Sequence, residues 1–447
     1  MKKTLDLMYI KNTISKGDIN ALQRMLSDCH PVDIADILVD LSPDMSLKLF
    51  NMLNIDIASE VLAEIDSQKR YFFLTGIKPL HAAMLLGKLP FDDITDLLSN
   101  LDKELQDKIL SLLKIRDKTD LKKLLQYDRN TAGGLMTTEY IAFQEQMKAG
   151  DVLNKLGELA PDAETIYYVY VVDDQNRLVG VVSLRDLILA PTDTQIGGFM
   201  KTDVKKVEAS LDQEKVAKYI QKYGLLALPV IDESGILLGI ITVDDVMEVI
   251  EEEVTEDILK FSGSDEKPIS NGISTWLRAK RRLPWILIAV FGQIISGNMI
   301  NNFSHAIQTF VALSFFIPVL MDMGGNVGTQ SAAIVVRWLA TGEISNYSIV
   351  KNIFREAAIG IILGCVNGIL IAATAYILER NMIIAMVVGI AMIFNLVFAA
   401  VLGTFMPLLW YKLGRDPAVA SGPLVTTLLD ITGLFIYFSA AVFIMNI

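Results

Sequence analysis

A chain of 447 residues in which 52% of side chains are hydrophobic is too long for one small domain and unusually apolar for a soluble protein. Its formal net charge of −12 excludes a nucleic-acid binder, which must neutralise phosphates with cations. Two cysteines and three histidines, all scattered, exclude a disulfide framework and a zinc or redox-metal cluster. The charge is unevenly divided. From Ile273 onward ten Lys and Arg stand against six Asp and Glu, which leaves 30 basic and 46 acidic residues before it. An acidic front half, suited to attracting cations, is joined to an apolar and slightly basic back half.

The opening MKKTLDLMYIKN holds no apolar run of signal-peptide length, which predicts a cytoplasmic amino terminus. Apolar residues then recur twelve apart at Leu41, Leu53, Ile65, Ile77, Leu89, Leu101 and Leu113. The units SPDMSLKLFNML, IDIASEVLAEI, PFDDITDLLSNL and DKELQDKILSLL each read as a helix of about ten residues, with Asp or Ser-Pro near the start as an N-cap. None buries its apolar face alone, so residues 1–127 are expected to stack as an all-α superhelical domain.

Residues 128–250 contain a duplication. LMTTEYIAF (135–143) is answered by FMKTDVKKV (199–207), and VYVVDDQNRLVGVVSLRDLI (169–188) by LPVIDESGILLGIITVDDVM (228–247). Each copy reads as strand, Asp-containing turn, strand and helix, with an apolar helix before, which makes a pair of small α/β units. The pattern resembles tandem CBS domains, with copies at 135–193 and 198–250. That resemblance implies an adenosine-nucleotide site framed by Gly180, Ser183 and Asp186 and by Gly239, Thr242 and Asp245. The hydroxyl and carboxylate suit phosphate and ribose hydroxyls. The alternative is that Ser and Asp only cap the following helix, and in the second copy both readings stay open. In the first, the nucleotide reading is favoured, because Tyr170 offers a stacking ring and Arg185 a phosphate partner.

VDDVMEVIEEEVTEDILKF (243–261) continues as an acidic helix. Asp244, Asp245, Glu248, Glu251, Glu252, Glu253, Glu256 and Asp257 crowd about four turns, with no basic residue before Lys260. Such spacing destabilises a helix through like-charge repulsion. A solvated face is the plain reading and a cation-binding face the sharper one. Residues 251–282 are expected to form this connecting helix and a linker that includes SGSDEKPISNG.

Residues 283–447 predict a helical membrane domain. Five apolar segments, at roughly 284–303, 306–323 continuing toward 340, 354–378, 383–409 and 423–446, are long enough for a ~30 Å hydrocarbon core. Lys280, Arg281 and Arg282 precede the first, Arg337, Lys351 and Arg355 follow the second, and Lys412 and Arg415 precede the last. This bias predicts a cytoplasmic amino terminus and an external carboxyl terminus. Polar residues inside the segments are few and grouped. The second holds Asp322, Gly324, Gly325, Asn326, Gly328, Thr329 and Gln330, where glycines allow close packing or free carbonyls to line a path. The last holds Asp430 with Thr426 one turn before it. A carboxylate at such depth is costly and marks a functional site by default.

The order of superhelical domain, CBS pair, acidic helix and five spans resembles the MgtE family of magnesium channels. GGNVGTQSAAIVVRWLATGEI and GPLVTTLLDITG are similar to that family's membrane motifs, and YDRNTAGGLMTTEYIAF (127–143) to its domain junction. The resemblance spans nearly the whole chain. It implies a homodimer in the bilayer, a pore on the dimer axis, and hydrated Mg²⁺ held there by Asp430. Thr426, Asn326, Gln330 and Asp322 are further pore candidates. It also implies closure by intracellular Mg²⁺ between acidic surfaces. The regulatory candidates are Asp92, Asp93, Asp96, Asp212, Glu214, Asp245, Glu248, Glu252, Glu253, Glu256 and Asp257. Gly224 departs from the family, where an acidic residue is expected. Oxygen ligands without Cys or His clusters suit a hard cation. An adenine nucleotide is the second expected ligand. The rival readings are a membrane-anchored nucleotide sensor without transport and an ion-coupled solute carrier. No nucleophile–base arrangement points to an enzyme.

Overall fold

The computed structural model describes residues 7–16, 22, 25–26, 29–65, 67–99, 101–113, 115–160, 163–264, 275–341, 349–420 and 422–446. The first six residues and positions 265–274 of the expected linker lie outside this set. The chain forms two compact units, Met1–Glu251 and Glu252–Ile447.

The first unit begins with short helices: α1 (Leu7–Lys16), α2 (Pro31–Asp40), α3 (Pro43–Met52), α4 (Ile55–Glu64), α5 (Ser67–Gly76), α6 (Pro79–Leu86), α7 (Phe91–Ser99), α8 (Lys103–Leu112) and α9 (Ile115–Leu124). Proline at the first turn starts α2, α3 and α6, where its missing N–H costs nothing. Caps differ from expectation. Ser42 and Asp102 make no side-chain cap bond, whereas His30 and Asn54 accept from Val32 and Asp56 amides. The twelve-residue marks Leu41, Leu53, Ile65 and Leu113 are the extended residues that end each helix, and Leu41, Ile65, Leu89 and Leu101 are buried. Second neighbours pack together along the domain, α2 on α4, α4 on α6, α6 on α8, and in parallel α3 on α5, α5 on α7, α7 on α9, while α3 packs equally on α1 and α2.

After the single turn α10 (Ala132–Leu135), the duplication folds as two three-stranded sheets. The first holds β1 (Ala142–Gln144), β2 (Tyr168–Val172) and β3 (Leu178–Ser183), with helices α11 (Ala149–Leu159) and α12 (Leu184–Leu189). The second holds β4 (Val207–Glu208), β5 (Ala227–Ile231) and β6 (Leu237–Thr242), with α13 (Gln213–Tyr223) and α14 (Val243–Phe261). In both sheets the first pair is parallel and the second antiparallel. The copies trade edges. Thr137 exchanges backbone bonds with Ile240 (2.8 and 3.0 Å), and Lys201 with Val181 (2.9 and 3.0 Å). The repeated LMTTEYIAF and FMKTDVKKV stretches therefore supply the seam of the pair. Gly224 ends α13 at φ +61°, a left-handed conformation that costs glycine little and an acidic side chain more.

The second unit is helical: α15 (Thr275–Asn302), α16 (Ser304–Thr309), α17 (Ala312–Ala340), α18 (Ile349–Glu379), α19 (Met382–Lys412) and α20 (Pro423–Met445). Among the described residues four helices are long and apolar enough to cross a membrane: Thr275–Asn302, Ile349–Glu379, Met382–Lys412 and Pro417–Met445. The second expected segment, from 306 toward 340, forms the short α16 and then one continuous 29-residue helix, α17, whose glycines do not break it. Its Asp322, Asn326, Thr329 and Gln330 lower its hydropathy, which is why it falls outside those four. α17, α19 and α20 pack together, and α15 packs on α20. Gly403 of α19 lies so close to the Gly328 carbonyl of α17 that a Cβ has no room. Polar groups stitch the same core. Tyr437 donates to the Leu313 carbonyl (2.8 Å), Asn395 to the Leu320 carbonyl (2.7 Å), and Ser331 to the buried Glu356 carboxylate (2.9 Å). On α14, Lys260 pairs with Glu256 and with Asp416 (2.8 Å).

Candidate functional site

The polar residues of α17 fall at helical spacing, so Asp322, Gly325, Asn326 and Thr329 share one face. On α20, Thr426 and Asp430 are likewise one turn apart. These two faces, with Pro318 and Met321, line a cleft of about 480 Å³. Asp430 is half-buried, while Asp322 and Asn326 are exposed. Each carboxylate meets a side-chain amide: Gln293 Nε2 donates to Asp430 Oδ2 (2.6 Å) and Asn326 Nδ2 to Asp322 Oδ2 (3.1 Å). The Thr426 hydroxyl bonds back to the Gly422 and Pro423 carbonyls (3.3 and 3.2 Å), and Thr329 to that of Gly325 (2.8 Å), so their oxygens keep acceptor capacity toward the cleft. Of the five residues predicted for this site, the fold brings Asp322, Asn326, Thr426 and Asp430 together. Gln330 is exposed and does not line the cleft. Gln293 escaped the sequence reading because it lies 137 residues from its partner in an otherwise apolar segment.

A second set of carboxylates gathers in the first unit. The Asp92 carboxyl is held well above its ordinary range by burial, then by the charges of Asp245, Glu164 and Asp93. Asp93 is pushed up to about 6 by burial against the lowering pull of Arg70 (3.2 Å), with Glu248 and Asp96 adding repulsion. Asp245 rises to about 7 through burial, opposed by hydrogen bonds from Thr242 and helped by Asp244 and Asp93. Glu164 rises to about 7 through burial and then Asp245, Glu139, Asp244 and Asp93. Among the described residues no three His, Cys, Asp or Glu side chains converge as a closed metal-ligand set. The carboxylates are spread, an arrangement suited to ions that keep most of their water.

Glu139 and Glu164 are absent from the predicted set, since neither belongs to a carboxylate cluster in sequence and only tertiary folding brings them here. Glu139 also accepts from the Phe91 amide (3.0 Å) at the start of α7. Asp96 pairs with Arg129 (3.0 Å). Asp212 caps α13 through the Glu214 amide, and Glu214 pairs with Lys218 (2.6 Å). Neither Asp212 nor Glu214 is among the charges that raise this group. Glu252, Glu253, Glu256 and Asp257 lie farther along α14, in the second unit.

In the first CBS copy Ser183 caps α12. Its hydroxyl accepts from the Asp186 amide (3.1 Å) and donates to the Asp186 carboxylate (2.7 Å). Arg185 is exposed beside them. The expected stacking of a base on Tyr170 meets an obstacle: the ring is 1% exposed, set edge-on to Tyr140 in the core between the two sheets. Its hydroxyl has no partner among the described residues. In the second copy Thr242 repeats the hydroxyl-to-carboxylate bond, and its backbone amide also donates to the Asp245 carboxylate (3.3 Å).

Three sequence families match the chain. MgtE, a divalent cation transporter family, matches residues 317–440, the MgtE intracellular N domain matches 29–130, and the CBS domain matches 132–193 and 196–252. The magnesium transporter MgtE of Bacillus subtilis is 36% identical over 425 residues, covering 95% of this chain and 94% of its own. That of Thermus thermophilus is 35% identical over 439 residues, covering 97% of each. A crystal structure of the cytosolic domain of the Mg²⁺ channel MgtE in complex with ATP is 37% identical, with a TM-score of 0.52 over 54% of this chain and 99% of that one.

Proposed function

The chain belongs to the MgtE family, and from that premise we propose that it is a magnesium-selective channel of the bacterial plasma membrane, closed by intracellular Mg²⁺. The observation that carries the reading is the meeting of Asp322 and Asp430, from separate helices, at one polar cleft within an otherwise apolar helical unit. A passing cation offsets the cost of carboxylates in that setting. Mg²⁺ sheds water reluctantly, so a few oxygens from Asp430, Asp322, Asn326 and Thr426 touching its hydration shell are the fitting kind of site. Exposure of Asp322 and Asn326 on the single chain supports a homodimer with the pore on its axis. The amino terminus lies in the cytoplasm and the carboxyl terminus outside, as the flanking Lys and Arg direct.

Closure follows from the second set of carboxylates. Asp92, Asp93, Glu164, Asp245 and Glu248 repel one another when folded together, and Mg²⁺ between them reverses the sign of that interaction. Glu252, Glu253, Glu256 and Asp257 extend the regulatory surface along α14. Linkage then requires Mg²⁺ to bind the closed state more tightly than the open one. An adenine nucleotide binds the first CBS copy through Ser183, Arg185 and Asp186, a reading supported by the ATP complex of the related cytosolic domain. Transport is tested by Mg²⁺ entry into liposomes holding the purified protein. The wild type is expected to admit Mg²⁺ and Asp430→Ala to lose most of that flux while expressing normally. Unchanged flux in the variant refutes the assignment.

A further inference from the structure

The two carboxylates of the cleft share a constraint. One oxygen of each is held by an amide, while the carboxylate has two oxygens to offer. For Asp322 the donor is local, since Asn326 is one turn along the same helix. For Asp430 it is not. Gln293 reaches from α15 to α20 with a short 2.6 Å bond, the geometry of a charge-assisted pair. α15 approaches closely enough for this because its Gly292 packs directly on Thr427, leaving no room for a Cβ. Oδ2 retains a second lone pair, but the short bond fixes the plane of the carboxylate and uses part of that oxygen's acceptor capacity, which favours presentation of Oδ1 to an ion.

Divalent cations differ in what they ask of such a group. Ca²⁺ gathers six to eight oxygens and readily takes carboxylates in bidentate fashion, whereas Mg²⁺ keeps several waters and is served by single oxygens. We propose that Gln293 is a specificity-determining residue: by biasing Asp430 toward a one-oxygen presentation, it raises the preference of the cleft for hydrated Mg²⁺ over Ca²⁺. The inference rests on the transport reading above and deepens it. Gln293 bonds Asp430 and does not itself line the cleft, so its effect is expected on the choice between ions more than on passage itself.

The test uses the full chain in liposomes, with initial entry rates measured separately for Mg²⁺ and Ca²⁺. Gln293→Met is close in shape and lacks the donor, and Gln293→Leu is measured alongside. Gln293 is exposed, so neither change opens a core cavity. The wild type is expected to favour Mg²⁺. Both variants should still fold and melt within a few degrees of the wild type, keep Mg²⁺ entry within a few-fold, and show a Mg²⁺-to-Ca²⁺ rate ratio lower by about tenfold, the worth of one hydrogen bond to a charged group. An unchanged ratio overturns the proposal. So does equal loss of both rates in a folded variant, which assigns the amide to passage or packing instead. A wild type that admits no Mg²⁺ refutes the transport reading itself, and this inference with it.

Discussion

Asp245→Asn, made in the amino-terminal part expressed as residues 1–262, is expected to make that part more stable in chelator. Asp245 titrates at about 7 when folded against 3.8 in an open chain, because burial and the charges of Asp244 and Asp93 penalise its ionised form. Each pKa unit is worth about 1.4 kcal/mol, so the full displacement corresponds to about 4 kcal/mol. Relaxation and water around this half-buried side chain reduce the usable part to about 2 kcal/mol. Asparagine keeps an acceptor for the Thr242 hydroxyl and amide and removes the charge. At 2–4 °C per kcal/mol for a domain of this size, the melting temperature at pH 7.5 should rise by roughly 4–8 °C. The pH dependence follows the same sign. A folded-state pKa raised above the unfolded one gives stability that is fully present below pH 4 and is lost as pH rises through 7. Metal-free wild type should therefore melt lower at pH 8 than at pH 5, and the variant should show a flatter profile. Mg²⁺ at pH 7.5 should lift the wild type more than the variant. Scanning calorimetry in chelator and in Mg²⁺ reads all of this. A variant that melts at or below the wild type in chelator, with the same pH slope, refutes the claim that repulsion among these carboxylates is relieved by the cation.

Three further outcomes are expected. Neutralising Asp245, Glu248, Glu252 and Glu256 together should leave the channel conducting at Mg²⁺ concentrations that close the wild type, and proteolysis of the cytosolic part should no longer depend on Mg²⁺. An unchanged Mg²⁺ dependence would make α14 merely a solvated face. Titration calorimetry of fragment 128–262 with ATP should give heat, weakened about tenfold by Arg185→Ala. No heat at millimolar ATP from a folded fragment leaves Ser183 and Asp186 as helix caps alone. Gly403→Leu drives a side chain into the Gly328 backbone. Overpacking of this kind costs about 1–3 kcal/mol, so the variant should melt lower in detergent, and an unaltered melting profile contradicts the close approach.

Local order was legible wherever the chain repeats or alternates. The twelve-residue spacing of Leu41 through Leu113 marked the helix ends, and the paired Asp-turn stretches marked both sheets, because these patterns arise from neighbours in sequence. The cleft was legible as far as Asp430 and Asp322, since a carboxylate in an apolar run is conspicuous by itself. Gln293 and Glu164 were not, because neither breaks its local pattern and each gains its role from a partner far along the chain. Tyr170 shows the opposite failure. A tyrosine in a strand alternation offers a ring to either face, and only the packing of one sheet on the other decides that this ring turns inward. The glycines of α17 were ambiguous between freeing carbonyls to line a path and admitting a neighbour. The tight seat of Gly403 against Gly328 resolves that in favour of the neighbour.

The second-neighbour packing of the first helices gives that domain a parity. Helices α2, α4, α6 and α8 form one column and α3, α5, α7 and α9 the other, with further contacts joining the columns at α2–α3 and α5–α6. Removing one twelve-residue unit moves every later helix into the opposite column, where it meets faces shaped for something else. Removing two adjacent units restores the match and merely shortens the stack. A change of length by an even number of helices is therefore the one that keeps each column's contacts. Evolution or design that lengthens or shortens the domain preserves them by adding or deleting helices in pairs, as one changes a two-ply cord by whole twists.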